Sequence, residues 1–331
     1  MPLNAETAAV LALFASQATK PFEELGVLRS RRMVDLSTSL QGERVRVASV
    51  DDVLAEVCEG DNVGESMAAG TRRIPIRLYH PVVTESGGGP QPRPLIVYFH
   101  GGGWATGNVE VADRPARALC QGAGAVVASV EYRLAPEAPF PAGLEDCYAA
   151  VQWLSRHVEQ LGVDPDKIVV FGDSAGGNLA AATTLLSRER GGHPIAHQIL
   201  LYPALAPAER SPYPSYAQNS SGYSLTRAGM KWFWELYLAS AADALNPLAS
   251  PLLAQDVSGL PSATIITAEF DPLRDEGAAY AQRLRDVGSD AELVEYAGTI
   301  HGFFWMAGHL SQAKTIVGVI ADALNRRFTS P

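Results

Sequence analysis

From Pro94 onward the chain alternates two kinds of segment, and this alternation restricts its fold more than any other feature. Continuous apolar runs of strand length occur at Pro94 to Phe99 and Ala125 to Val130, and strand-length segments at Lys167 to Phe171, Gln198 to Tyr202, Ala263 to Thr267 and Glu292 to Tyr296 complete the set. Stretches of helical period separate them, at Arg114 to Gln121, Leu144 to Leu161, Ala175 to Arg190, Glu276 to Val287 and Ser311 to Phe328. Strands lacking polar alternation are buried on both faces, and strands joined through helices run parallel. The pattern predicts an α/β fold: a mostly parallel central sheet with helices on both faces. Arg72 to His80 alternates apolar and polar residues, as a strand with one wet face does. Gly87 to Pro92 is expected to be a loop after it.

Two regions interrupt the alternation. A helix is expected near Ala5 to Gln17, ending before Pro21. Residues 204–247 begin with a Pro/Ser/Tyr-rich loop and continue into a helix at Thr226 to Ala239. There Met230, Phe233, Trp234, Tyr237 and Leu238 recur at three- and four-residue steps. Such a stripe reads first as packing, second as ligand surface. An insertion at the carboxyl edge of a parallel sheet lies where these folds bind ligands, so both regions read as one helical cap. The expected division is 1–50 as N-terminal cap segment, 51–203 as the first part of the core, 204–247 as cap insertion and 248–331 as the second part.

Composition removes several function classes. The 331 residues include 26 Lys+Arg against 36 Asp+Glu, and this net charge of −10 argues against a nucleic-acid partner. No apolar run reaches the roughly 20 residues needed to span a bilayer. The first residues carry no basic segment ahead of Ala8 to Phe14, unlike a secretory signal. Cys58, Cys120 and Cys147 are widely spaced and form no CxxC, consistent with free thiols and a cytoplasmic location.

Chemistry enters at Gly172-Asp173-Ser174-Ala175-Gly176, which leaves a strand and opens a helix. This is the setting of a nucleophile elbow. The turn is so tight that the positions two before and two after Ser174 must lack side chains, hence Gly172 and Gly176. A second motif, His100-Gly101-Gly102-Gly103-Trp104, follows the strand ending at Phe99 and is far rarer by chance. Its glycines leave backbone N–H groups bare for a tetrahedral oxyanion. The donors are assigned to Gly102, Gly103 and Ala175, with the choice of two among the three loop glycines left open.

Ser174 needs a base. His80, His157, His193 and His197 lie away from the carboxyl edge of the sheet and read as surface histidines. His309 opens the last helix, and His100 belongs to the glycine loop and shapes it. His301 follows the last strand on the correct edge and is the expected base. For the carboxylate that orients it, Asp271 sits just past the strand Ala263–Thr267; Asp275 is the alternative, although Asp275 and Glu276 read as helix-capping residues. The order Ser174, Asp271, His301 matches that of α/β-hydrolases. No metal or cofactor is implied.

These motifs, together with Tyr132-Arg133-Leu134-Ala135-Pro136-Glu137 and Asp271 to Gly277, resemble the hormone-sensitive-lipase-like (bacterial type IV) carboxylesterases. Agreement extends through His301-Gly302-Phe303, Gly222 to Thr226 and Asn246 to Pro251. The resemblance implies the α/β-hydrolase fold and hydrolysis of short- to medium-chain acyl esters without a cofactor. It also implies a cap whose second part follows the sixth strand, and a homodimer as a weak expectation. Asp173 places the chain with those members that carry Asp before the serine. The same triad would serve amides, arylformamides, carbamates or lactones. A non-catalytic hormone receptor built on this fold lacks the histidine that His301 supplies here.

Overall fold

The computed structural model describes residues 2–17, 19–58, 71–82, 92–207, 209 and 212–329. One eight-stranded sheet organises them, in the order β1-β2-β4-β3-β5-β6-β7-β8. The strands are β1 (Ser49–Cys58), β2 (Thr71–His80), β3 (Arg93–Phe99), β4 (Val126–Val130), β5 (Val163–Asp173), β6 (His197–Leu201), β7 (Ser262–Phe270) and β8 (Ala291–Ile300). β1 and β2 pair antiparallel, as do β2 and β4, and every later pairing is parallel.

Eleven α-helical segments accompany the described strands: α1 (Ala5–Ser16), α2 (Phe22–Leu25), α3 (Val27–Leu36), α4 (Asp113–Ala123), α5 (Ala142–Arg156), α6 (Val158–Leu161), α7 (Ala175–Arg190), α8 (Ser215–Gln218), α9 (Arg227–Tyr237), α10 (Arg274–Asp286) and α11 (Ser311–Thr329). Along β3, Leu95, Val97 and Phe99 join the core beneath α5, α7 and α10, whereas Ile96 and Tyr98 join the one beneath α4 and α11. This period-two alternation between two apolar layers explains why the strand carries no charged residue from Leu95 to Phe99. From Ala175 to Ser187 every residue of α7 is buried, because its run of Gly and Ala lets the helix lie close on the sheet.

The expected strands are all present, but the sequence pattern passes over β1. Only Ala55 and Val57 are buried in it, while Asp52 and Glu56 pair across the sheet with Arg77 and Arg73. Its stability comes from cross-strand charge pairs and a few apolar contacts, so it shows no apolar run. α3 was likewise not expected; five of its ten residues are charged or hydroxylic, and only Ser30 and Val34 are buried. The long helix expected from Leu144 to Leu161 is broken at His157 into α5 and α6. The loop expected at Gly87 to Pro92 lies outside the described residues except for Pro92, as does the side chain of Cys58. Cys120 and Cys147 are buried free thiols. Among the described residues, no helix is long and apolar enough to cross a membrane, and no cluster of His, Cys, Asp or Glu could hold a metal ion.

Candidate active site

β5 passes into α7 through one residue, Ser174, with φ 58° and ψ −118°. This left-handed backbone is uncommon for a residue with a side chain and raises Ser174 above the sheet edge. Both flanking glycines are required. A Cβ on Gly172 would lie 2.0 Å from the carbonyl oxygen of Gly176, and one on Gly176 would lie 1.9 Å from that of Phe99.

The loop after β8 brings His301 to this point, with Nε2 2.9 Å from the Ser174 hydroxyl and Nδ1 2.7 Å from Asp271 Oδ2. Asp271, just past β7, is fully buried. A carboxylate oxygen only accepts, so Nδ1 carries the ring hydrogen and Nε2 turns its lone pair to Ser174. The second oxygen of Asp271 accepts from the N–H of Leu273 at 2.8 Å, which sets the plane of the carboxylate. Three residues widely separated in sequence thus converge because each follows the carboxyl end of a parallel strand.

After β3 the glycine loop turns under the same cavity. The N–H of Gly101 donates to Asp173 Oδ1 at 3.0 Å, where the Tyr98 hydroxyl also donates at 2.9 Å. The N–H groups of Gly102, Gly103 and Ala175 have no hydrogen-bond partner among the described residues, and all three residues line the cavity. Gly102 and Gly103 have φ 122° and 60°, and a Cβ on Gly103 would meet the Phe233 ring at 2.0 Å. Burial pushes the Asp173 carboxyl up to about 6, against the stabilising bonds from Tyr98 and Gly101. His100 is buried beneath the loop, stacked on Tyr132, with Nδ1 2.9 Å from the Gly101 carbonyl. Burial holds its imidazole below the usual range.

Among the remaining histidines, His197 departs from the surface position expected of it. It is buried on β6, with ring nitrogens 2.7 Å from Ser262 Oγ and 3.0 Å from Thr264 Oγ1, and burial pushes it down to about 4. Nor do Asp275 and Glu276 cap their own helix. Asp275 accepts from the N–H of Ser215 at 2.9 Å, and Glu276 Oε2 accepts from the N–H groups of Leu205 and Ala206 at 2.7 and 3.1 Å. Both fasten the 204–247 segment to α10.

Asn219 also supports this site: its Nδ2 donates at 3.1 Å to the carbonyl of Asp271 and at 3.3 Å to that of Glu269. No local motif marks it, because Asp271 lies 52 positions away. The α9 stripe divides between the two roles it suggested. Tyr237 stacks on Trp104 at 4.4 Å and 7° and Trp234 packs against it at a tilt of 50°, whereas Met230 and Phe233 face the cavity. Such ring pairs each add about 0.5–1.5 kcal/mol beyond their buried area, so the insertion supports the glycine loop directly.

Glu276 gives the fold a pH dependence. Its carboxyl is fully buried, and this burial pushes it up to about 8 from 4.5. A folded value above the unfolded one means that the native state holds the proton more tightly. The contribution is therefore complete below pH 4.5, declines as pH rises, and is gone above about 8. Denaturant titrations should show stability falling across this window in the wild type and a flatter profile in Glu276→Gln. Parallel profiles would remove Glu276 as the cause.

A cavity of about 1060 Å³ connects these groups and is roofed by α1–α3 and by the segment from Gly222 to Phe233. The chain matches the α/β-hydrolase-fold family over residues 96–305. It is 40% identical over 260 residues to the carboxylesterase NlhH of Mycobacterium tuberculosis, covering 78% of this chain and 79% of that one. With the ethyl acetate hydrolase of Pseudomonas putida it shares 32% identity across 99% of this chain and 100% of the relative. A hyperthermophilic esterase from the archaeon Pyrobaculum calidifontis superposes along the whole of both chains with TM-score 0.88 at 38% identity. The serine elbow, the strand order and these relatives agree: the chain belongs to the hormone-sensitive-lipase-like carboxylesterases of the α/β-hydrolase fold and is a carboxylic ester hydrolase.

Proposed function

We propose that Ser174, His301 and Asp271 form the catalytic triad of an esterase acting on short- to medium-chain acyl esters. The continuous hydrogen-bonded line from Asp271 through His301 to Ser174, at 2.7 and 2.9 Å, carries this reading. His301 takes the proton of Ser174 as the hydroxyl attacks the ester carbonyl, and Asp271 stabilises the imidazolium that forms. The oxyanion is held by the N–H groups of Gly102, Gly103 and Ala175; Gly101 is excluded because its N–H already serves Asp173. His301 then protonates the leaving alcohol, and water releases the acyl group by the same route. Asp173, His100, Gly172 and Gly176 shape the elbow and loop without touching substrate. The expected cap segments, 1–50 and 204–247, act together as the cap.

An organophosphonate that traps activated serines tests this assignment. One equivalent should abolish hydrolysis of 4-nitrophenyl butanoate, and the added mass should map to the peptide containing Ser174. Modification of another residue, with loss of activity, would overturn it.

A further inference from the structure

The lining of the cavity described above is largely apolar but includes several exposed cations. There α3 presents Arg29 and Arg32, both exposed and one turn apart on the face that also carries Met33 and Leu36. Neither guanidinium has a hydrogen bond or ion pair among the described residues. Several arginines elsewhere in the fold are matched by carboxylates. Arg31, between Arg29 and Arg32, is bound bidentately by Glu137, and Arg77, Arg117, Arg133, Arg190 and Arg274 each have a carboxylate partner.

Lys20 adds a third cation to the lining, only loosely matched by Glu24 at 3.8 Å, and exposed His309 lies on it as well. The sole acidic side chain among the lining residues is Asp173, buried beside Ser174. A chain with 36 acidic and 26 basic residues has thus placed unpaired positive charge at the mouth of its site. Guanidinium forks match carboxylate geometry, and a cleft of one charge sign raises the local concentration of its counterion.

We propose that this pair binds the distal carboxylate of an anionic ester, so that half-esters of dicarboxylic acids are preferred to neutral esters of equal length. Apolar residues of the same lining, among them Met33, Leu225 and Met230, would pack against the methylene chain, and the cavity exceeds what an ethyl or butanoyl ester fills. The inference rests on the esterase reading above and adds a substrate class to it.

The test compares mono-4-nitrophenyl esters of dicarboxylic acids of roughly six to ten carbons with the same compounds methylated at the free carboxyl. At low salt and pH 8, the wild type should favour the best anionic ester about fivefold or more in kcat/KM, and 0.5 M NaCl should reduce that ratio. In Arg29→Gln/Arg32→Gln the ratio should fall to about one, while Arg29→Lys/Arg32→Lys, which keeps the charge but not the planar fork, retains only part of it. Equilibrium binding of both esters to Ser174→Ala should give the same order of preference. This second readout remains if hydrolysis is absent, and it separates a failed charge site from a failed esterase assignment. Equal ratios and equal affinities in wild type and Gln variant would overturn the proposal. So would sedimentation with phosphatidylglycerol vesicles that depends on the two arginines without any ester preference, which would assign them to a lipid surface.

Discussion

Replacing Ser174 by alanine should lower kcat for 4-nitrophenyl butanoate by about 10⁴- to 10⁶-fold while leaving the fold intact. The change removes one oxygen at a half-open position, 9% exposed, so it opens no void in either apolar layer. The left-handed turn is held by Gly172 and Gly176 and by the bond from the Ser174 N–H to the Leu201 carbonyl, none of which involves the hydroxyl. Residual turnover above the uncatalysed rate would come from the N–H groups of Gly102, Gly103 and Ala175. Wild-type-like activity in a homogeneous, correctly melting preparation would remove Ser174 as nucleophile.

Asp271→Asn should have an effect nearly as large, a loss of about 10⁴-fold in kcat at neutral pH. The direction follows from a neighbour. The Leu273 N–H donates to Oδ1, so an asparagine keeps its oxygen there and turns its NH2 toward His301 Nδ1. The imidazole must then accept at Nδ1 and carry its hydrogen at Nε2, facing Ser174, where it cannot take a proton. Asp275→Asn is the comparison, since Asp275 binds the backbone of Ser215 and the side chain of Arg274 and makes no contact with His301. Circular dichroism and a melting curve would show that both variants are folded. A larger catalytic loss in Asp275→Asn would transfer the role to it.

The sheet and the residues of the proposed triad were readable from the chain for one physical reason: their signals are local. The central stretches of β3 to β7 are buried on both faces and so are rich in apolar residues. Ser174, Asp271 and His301 each lie directly after a strand, in turns that demand particular neighbours. What escaped depends on partners distant in sequence. β1 exists through Arg73 and Arg77 on the strand beside it. Asn219 matters only because it reaches the carbonyl of Asp271, and Glu276 only because it holds Leu205 and Ala206. His197 resembled a surface residue because nothing nearby announces that Ser262 and Thr264 will satisfy its ring.

The two parts of the roof are fastened very differently. The 204–247 segment is held by buried groups: Glu276, the Ser215 hydroxyl on the Pro272 carbonyl, Asn219, and the rings stacked on Trp104. α1 to α3 are held partly at the surface, through Glu6 with Ser311 and Arg31 with Glu137, and partly by half-buried bonds, Glu23 with Thr226 and Arg31 with the carbonyls of Ala105 and Ala135. Local opening free energies should follow that division. Amide hydrogens of α1 and α3 should exchange with deuterium faster than those of α9, and more so at high ionic strength, where Arg31–Glu137 is screened. Entry to the site would then proceed by fraying of the amino-terminal helices over a stationary inner wall. Its rate would be set by breathing of the first 40 or so residues rather than by the swing of a hinged lid.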